Sequence, residues 1–342
     1  GVNIMEKFRW EDPSIFKINK EDGHAIMMPY DSENEALSGN ESKYKQSLNG
    51  KWKFYWQRGL KNQPENFQLV SFDDSHWDEI NVPSVWQTEG YSVPYYYAST
   101  FPKAFSRTKS KIPSIDHNMQ EIGFYRKTFV LDEVFDNREV FLHFGAAKSA
   151  LEVYVNGEFV GYSQGSMAPH EFDITKVLKK GENVITAKLY RFSDGSYLED
   201  QDMFRMSGIH RDVYLIATPK VRLRDIKLTS VISDRLDKAE LKVEADVRNY
   251  TLKKTNALLR VSLLDTKGIT VRSFVIGANG IESTKEVRCE GKTVIRDPLL
   301  WSAEMPNLYT VNFELMDENG HVLEATTQKY GFRKINMWNK KV

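Results

Sequence analysis

The residues best suited to chemistry lie in one stretch, residues 193–213, between two strand-like runs. Its ionisable side chains are Asp194, Glu199, Asp200, Asp202, Arg205, His210, Arg211 and Asp212. This density of charge is too high for a core strand, so the stretch is predicted to be a loop. The residue types alone leave two interpretations open. It is either a solvated loop whose Asp and Arg side chains brace a β-sandwich, or a loop that holds a ligand.

Three carboxylates, those of Glu199, Asp200 and Asp202, are close together in this loop. Carboxylates that are neighbours on one loop repel each other or bind a metal ion together. They are less suited to act as a catalytic acid and a nucleophile, which must face each other across the bond that is cleaved. With backbone carbonyls they could hold a hard cation such as Na⁺ or Mg²⁺, although the spacing lacks the glycine and bidentate glutamate of a calcium loop.

Composition restricts the class of ligand. The chain has 342 residues, which predicts about two domains, with 47 Lys and Arg against 47 Asp and Glu. This balance gives no reason to expect nucleic acid or a membrane surface as a partner, and a neutral polyhydroxyl compound fits better.

Cys289 is the single cysteine, so no disulfide forms within the chain. No run reaches the about 18–20 apolar residues of a membrane span, and no signal peptide is evident, which leaves a cytoplasmic or a periplasmic location open.

Short strands flank the loop. Asn156-Gly157 between two β-rich runs predicts a hairpin, and residues 184–190 form a strand that leads into the loop. No stretch has convincing helical periodicity. The first part of the chain is therefore predicted to be a β-sandwich of the jelly-roll type, with the loop at a strand end, where binding groups usually lie.

Beyond Thr218-Pro219 the sequence has fewer aromatic residues and more alternating β-branched runs. The predicted strands are 221–232, 239–248, 257–265, 270–276, 284–289, 309–316 and 322–330. Six or seven strands of this kind indicate an immunoglobulin-like β-sandwich of the non-antibody kind, because no cysteine pair is present. The predicted fold class is all-β, with a jelly-roll β-sandwich followed by an immunoglobulin-like β-sandwich.

The loop sequence Asp-Gly-Ser-Tyr-Leu-Glu-Asp-Gln-Asp-Met-x-Arg-x-Ser-Gly-Ile-x-Arg-Asp-Val resembles the end of the sugar-binding domain of family-two glycoside hydrolases, specifically of β-galactosidases. Residues 72–87, 300–309 and 330–335 also look like motifs of this family. The resemblance implies a sugar-binding domain over 1–218, an immunoglobulin-like domain over 219–334, and the truncated start of a catalytic (β/α)8 barrel over 335–342.

The resemblance also implies roles for individual residues. Asp202 matches the aspartate that helps to hold Na⁺ and the 6-hydroxyl of galactose. Residues 94–102 align with a second loop of the family, which carries an asparagine that also contacts the sugar. In this loop the resemblance implies Tyr97 as a substrate-binding residue, and Ala98 occupies the position of the family's asparagine. Alanine cannot hydrogen-bond a hydroxyl, so either another residue replaces the asparagine or substrate preference differs.

Structural support of the loop is expected from Arg205, Arg211 and Asp212. Arginine–carboxylate forks inside the loop are predicted to hold Asp202 in place.

The implied function is that of the non-catalytic N-terminal part of a retaining exo-β-galactosidase. Retaining chemistry needs two carboxyl groups about 5–5.5 Å apart, which the missing barrel would supply, so this part is expected to be inactive alone. Na⁺ and Mg²⁺ are implied for the parent enzyme and neither is required by this part. The implied partners are a β-galactoside or another glycan, its own barrel in cis, and further copies in a homo-oligomer. Two alternatives stay open: a stand-alone carbohydrate-binding protein, or the same portion of a β-glucuronidase or β-mannosidase.

Overall fold

The computed structural model describes residues 8–96, 112–199 and 201–336, and they fold almost entirely into strands. The α-helix, Glu33–Leu37, begins at Ser32, whose hydroxyl accepts a hydrogen bond from the Glu35 amide. Four 3-10 turns span Arg9–Glu11, Trp86–Thr88, Glu133–Phe135 and Asp194–Tyr197.

The described residues before residue 219 contain fifteen strands. These are β1 Lys17–Ile18, β2 Lys45–Ser47, β3 Gly50–Arg58, β4 Asp78–Val82, β5 Tyr95–Tyr96, β6 Glu121–Val130, β7 Glu139–Phe144, β8 Ala147–Lys148, β9 Ala150–Val155, β10 Glu158–Ser163, β11 His170–Asp173, β12 Glu182–Tyr190, β13 Phe204–Arg205, β14 Gly208–Ile209 and β15 Val213–Thr218. The remaining seven are β16 Val221–Ile232, β17 Lys238–Asn249, β18 Thr255–Leu264, β19 Thr270–Ile281, β20 Glu286–Arg296, β21 Tyr309–Met316 and β22 Val322–Tyr330.

The strands form two compact units. Of the described residues, the first unit holds 8–22, 46–96, 112–136, 140–199 and 201–216, and the second holds 23–45, 137–139 and 217–336. Residues 23–45, which the sequence analysis assigned to the first domain, thus group with the second unit. Within that unit Tyr30 forms an isolated bridge with Ala325.

A seven-stranded sheet in the order β1-β10-β9-β12-β6-β3-β4 and a four-stranded sheet in the order β11-β7-β15-β2 build the first sandwich. The sheets approach closely where Gly161 on β10 meets Phe172 on β11. A Cβ at Gly161 would lie 2.6 Å from the Phe172 ring, so the contact requires a glycine. Large buried aromatic side chains fill this unit, namely Trp10, Trp52, Phe54, Trp86, Phe124, Tyr162 and Phe172.

The predicted hairpin is present, since Asn156 and Gly157 join β9 to β10 with φ values of 51° and 89°. Both residues have positive φ, as a two-residue hairpin turn of this kind requires. The neighbouring strand β12 pairs with β6 over its whole length and ends at Tyr190 opposite Ile122. This pairing fixes the point from which the charged loop departs.

The second unit pairs β16-β17-β20 in one sheet and β19-β18-β21-β22 in the other. Each of its seven strands overlaps a run predicted from alternation. Its core is aliphatic, with Leu241, Val261 and Leu315 among the fully buried residues. The predicted all-β fold class, with its two β-sandwiches, is confirmed. No helix in the described ranges has the length and apolar character that crossing a membrane requires.

Candidate functional site

The charged loop begins with a well-anchored turn. Ser193 and Ser196 form a capping box around the 3-10 turn Asp194–Tyr197, in which each side chain accepts a backbone hydrogen bond from the other residue. Tyr197 is buried and donates its hydroxyl proton to the Ser114 carbonyl at 2.6 Å. The first third of the loop is therefore fixed to the sandwich.

The carboxylate of Asp202 is exposed and is held by a tyrosine rather than by an arginine. Its Oδ1 accepts a hydrogen bond from the Tyr96 hydroxyl at 2.6 Å, and this bond raises the pKa of the Tyr96 phenol. The contact exists because β13, Phe204–Arg205, pairs with β5, Tyr95–Tyr96, across a large sequence separation. The strand pairing brings the charged loop next to Tyr95 and Tyr96.

The ring of Tyr96, whose hydroxyl holds this carboxylate, lies next to a second aromatic ring. The Tyr96 and Phe204 rings have centroids 5.5 Å apart, and the two residues are 52% and 55% exposed. We call Tyr96, Asp202 and Phe204 the Asp202 patch. Exposed aromatic faces pack against the C–H surfaces of sugars, and a carboxylate accepts hydrogen bonds from hydroxyls, so the patch has the chemistry to bind a polyhydroxyl ligand.

The arginine forks expected on Asp202 are not what the structure shows. Arg205 is 4% exposed and donates to the Gln201 carbonyl, whereas Asp202 is exposed and bonds Tyr96. Arg211 donates to the Met167 carbonyl at 3.1 Å. The prediction was wrong on this contact because closeness in sequence does not show which residues of a loop turn inward.

Asp212 fastens the end of the loop. Its Oδ1 accepts a hydrogen bond from Asn49 Nδ2 at 3.0 Å, and Asn49 Oδ1 accepts from the Val213 amide at 2.9 Å. Arg205 and Asp212 therefore brace the loop through contacts other than Asp202. Tyr97, Ala98 and Asp200 lie outside the described residues.

Glu199 does not join Asp202 in a common site. Its carboxylate accepts hydrogen bonds from both the amide and the hydroxyl of Ser166. Across the described ranges there is no group of three His, Cys, Asp or Glu side chains placed to hold a metal ion. A cation at Asp202 would therefore need other oxygen ligands.

A buried ion pair, which sequence reasoning missed, lies where the charged loop meets the residues before β5. Arg191 Nη1 donates to both oxygens of Glu121 at 2.9 Å, and the two side chains are 1% and 4% exposed. Arg191 Nη2 donates to the carbonyl of Val93 at 2.8 Å and to that of Arg205 at 2.9 Å. One guanidinium thus joins the backbone just before β5 to the backbone of β13 in the charged loop. The sequence signal for this pair is weak, because both strands contain other charged residues. Glu121 begins β6 and Arg191 follows β12, and the two become neighbours only through the antiparallel pairing that sets Tyr190 opposite Ile122.

Gly208 fixes the far side of the loop by close backbone contact. Its φ is +149°, and a Cβ there would lie 2.4 Å from the Ser84 carbonyl oxygen and 2.9 Å from Val85 Cα. Hydrogen bonds from the Ser84 amide to the Ile209 carbonyl and from the Trp86 amide to the Ser207 carbonyl hold these backbones together.

We expect Gly208→Ala to destabilise the first unit by at least about 2 kcal/mol, since backbone must move to admit the methyl group. Urea unfolding of the chain measures this. Gly165→Ala is the matched control, because Gly165 has φ +101° and nothing within 4 Å of its Cβ position. The control should lose only about 1 kcal/mol, the cost of the backbone conformation. Equal losses for the two variants would show that the contact with Ser84 carries no constraint.

The chain is similar to known proteins along most of its length. The model of the sugar binding domain of glycosyl hydrolases family 2 matches residues 45–219, and a second model of glycosyl hydrolases family 2 matches residues 221–333. The chain is 38% identical over 331 residues to a β-galactosidase of Priestia megaterium, covering 96% of this chain and 32% of that protein. It is 32% identical over 350 residues to a β-galactosidase of Clostridium acetobutylicum, covering 99% and 37%. The chain thus spans about a third of the length of these relatives.

Solved structures with the same fold include β-glucuronidases. β-Glucuronidase 2 of Bacteroides uniformis superposes with a TM-score of 0.69 at 22% identity, over 85% of this chain and 32% of that one. A β-glucuronidase of Bifidobacterium dentium superposes with a TM-score of 0.64 at 21% identity, over 87% and 50%. At these identities the likeness concerns the fold. With both family models together covering most of its length, the chain belongs to the glycosyl hydrolases of family 2.

Proposed function

We propose that this chain is the N-terminal, non-catalytic part of a retaining exo-β-galactosidase, and that the Asp202 patch completes the sugar site of the parent enzyme. The observation that carries the proposal is the exposed Asp202 carboxylate, which accepts a hydrogen bond from Tyr96, whose ring in turn lies next to that of Phe204. The names of the relatives of higher identity, all β-galactosidases, support the substrate class.

The charge of the patch favours a galactoside over a glucuronide. Position 6 of a galactoside carries a hydroxyl, which can donate to a carboxylate, whereas position 6 of a glucuronide carries a carboxylate. Two carboxylates in contact repel, and the repulsion is large in a site from which water is excluded. A patch centred on Asp202 therefore suits the neutral sugar.

The metals of the parent are a separate part of the proposal. Asp202 offers a hard oxygen ligand for Na⁺, because Tyr96 occupies only its Oδ1, and the remaining ligands would come from the rest of the parent. When bound, Na⁺ would fix hydroxyl oxygens by charge. For Mg²⁺ the described ranges hold no group of acidic or histidine side chains that fits. The proposed partners are the substrate glycan, the catalytic barrel in cis, and further copies of the parent.

A substrate panel tests the proposal. We expect the full-length parent to have its highest kcat/KM on 4-nitrophenyl β-galactoside among the matching galactoside, glucuronide and mannoside. A preference for the glucuronide or the mannoside would contradict the assignment and favour those branches of the family.

The isolated chain 1–342 should give no measurable turnover of the galactoside, since the paired carboxyl groups of retaining chemistry would lie in the barrel. Activity that disappears on Glu199→Ala or Asp202→Ala would overturn this part of the proposal. Calorimetry of the isolated chain with galactose tests the alternative of a stand-alone carbohydrate-binding protein. A Kd below about 1 mM would favour that alternative.

A further inference from the structure

The strand β11, His170–Asp173, is four residues long and lies at the edge of the four-stranded sheet. It pairs with β7 on one side. On the other side it has an isolated bridge between Phe172 and Lys20 and a hydrogen bond from the Glu21 amide to the Glu171 carbonyl at 2.9 Å. A short edge strand with so few backbone partners can separate from its sheet at a lower free energy than a central strand, without unfolding of the whole unit.

The first residue of this strand is a fully buried histidine. His170 is 0% exposed, and its Nδ1 lies 2.6 Å from the hydroxyl oxygen of Ser163 at the end of β10. Since β10 belongs to the seven-stranded sheet and β11 to the four-stranded sheet, the imidazole lies between the two sheets. A charged imidazole in this place would be removed from water, which is costly unless a carboxylate compensates for it.

The groups around His170 also disfavour a charged imidazole. The titratable side chains that act on it are Lys20, His143 and His210, and all three are bases. Burial, reinforced by these bases, lowers the pKa of His170 to about 3, and the Ala147 backbone opposes the shift only in part. The ring is therefore neutral in the folded unit at every pH between 5 and 8.

The carboxylates of this region are engaged elsewhere. Glu171, the next residue of β11, has its Oε2 2.9 Å from Nδ1 of His143 on β7. Because successive side chains of a strand point to opposite faces of the sheet, this pair lies on the face opposite to His170. Glu199 acts on His210, together with the cations Lys148 and Arg211. Among the described residues, no carboxylate forms an ion pair with His170.

The turn that precedes β11 holds the charged loop at two points. Ser166 donates hydrogen bonds from its amide and its hydroxyl to the Glu199 carboxylate. The Met167 carbonyl accepts a hydrogen bond from Arg211 at 3.1 Å. Since Ser166 and Met167 lie a few residues before His170, separation of β11 would also displace the groups that hold the charged loop.

We propose that β11 and the turn before it form an acid-sensitive latch of the charged loop, which opens when His170 takes up a proton. The closed state excludes the proton, whereas the open state exposes the imidazole to water and accepts it. A histidine whose pKa is lowered by folding favours the closed state fully above its ordinary pKa, and this advantage is lost as the pH falls toward the lowered value. The inference does not depend on the proposed function, because it concerns a conformational change of the chain alone.

Hydrogen exchange of chain 1–342, followed by mass spectrometry and corrected for the intrinsic effect of pH on exchange, tests the latch. The equilibrium constant for opening should rise about 30-fold between pH 8 and pH 5, because the exposed imidazole has a pKa of about 6.5. Peptides that cover 164–173 and 194–199 should lose protection together. Carboxylates with ordinary pKa values of about 4 remain ionised in this range, so general acid unfolding contributes little.

His170→Gln removes the titrating group and keeps a polar side chain. It should abolish the pH dependence of opening, whatever its effect on stability at pH 8. His76→Gln is the matched control, because His76 is an exposed histidine of the same unit, and it should keep the 30-fold change. His143 and Glu171 are unchanged in both variants, so any titration of that pair is common to the two.

A measurement on the unaltered chain makes the test independent of how the variants fold. In an NMR titration with labelled histidine, the His170 ring of the folded chain should show no protonation between pH 8 and pH 5. A His170 ring that titrates near pH 6.5 in the folded chain, or an undiminished pH dependence in His170→Gln, would overturn the proposal. Loss of protection in β11 alone, without 194–199, would overturn its link to the charged loop.

Discussion

Replacement of Arg191 by methionine should destabilise the first unit by about 3–5 kcal/mol. The variant leaves the Glu121 carboxylate buried without a cation, and breaking one partner of a buried ion pair has this cost. Both side chains are almost fully buried, and the pair is bidentate at 2.9 Å. The variant also removes the donors to the carbonyls of Val93 and Arg205, which then lie without their partner.

Urea unfolding followed by tryptophan fluorescence measures the loss. Glu121→Gln alone should be strongly destabilising as well, because the guanidinium then lacks its counterion. The double variant Arg191→Met, Glu121→Gln should be more stable than the sum of the single losses predicts, since it leaves no isolated charge. Additive losses would mean that Arg191 stabilises the fold through the carbonyl contacts and not through the ion pair.

A surface pair supplies the matched control. Lys180 and Asp136 are 2.9 Å apart, but the Lys180 side chain is 85% exposed. Lys180→Met should leave the unfolding transition unchanged, because water and salt screen an exposed pair. A loss at Lys180 as large as that at Arg191 would show that burial is not what gives the Arg191 pair its effect.

The strands of the second unit could be predicted because their signals are local. Alternation of apolar and polar residues defines β21 and β22, and a turn at Asn319-Gly320 separates them. The same holds for the Asn156-Gly157 hairpin in the first unit. In each case the two paired strands directly precede and follow the turn in the sequence. A short stretch of sequence therefore contains both the turn and the strands that pair.

The candidate site could be predicted only in part, because its contacts join distant segments. Charge density indicates the loop, and the family resemblance singles out Asp202 within it. The Tyr96 partner could not be predicted, since it lies 106 residues earlier and is brought close by the pairing of β5 with β13. The Arg191–Glu121 pair is likewise 70 residues apart in the chain. Local periodicity contains no information about such pairings.

In the full-length parent, Asp202→Ala should lower kcat/KM for a β-galactoside by roughly 10- to 100-fold. A hydrogen bond between a charged carboxylate and a substrate hydroxyl contributes about 1.5–3 kcal/mol, and the loss appears in kcat/KM. The same variant should cost only a few-fold with an analogue that lacks the 6-hydroxyl, because that substrate has already lost the contact. Steady-state kinetics with the two substrates form a double-mutant cycle with the substrate as one arm.

Two further variants make the comparison specific. Tyr96→Phe keeps the ring and removes the hydroxyl that holds Asp202 Oδ1. It should lower kcat/KM less than Asp202→Ala does, and again more for the galactoside than for the analogue that lacks the 6-hydroxyl. Asp73→Ala changes an exposed aspartate of the same unit and should leave both substrates unaffected. If Asp202 serves only to hold β13 against β5 through Tyr96, Asp202→Ala and Tyr96→Phe should each lower kcat/KM by one common factor for both substrates. Equal factors would remove Asp202 from the sugar site, because only direct contact with the 6-hydroxyl distinguishes the two substrates.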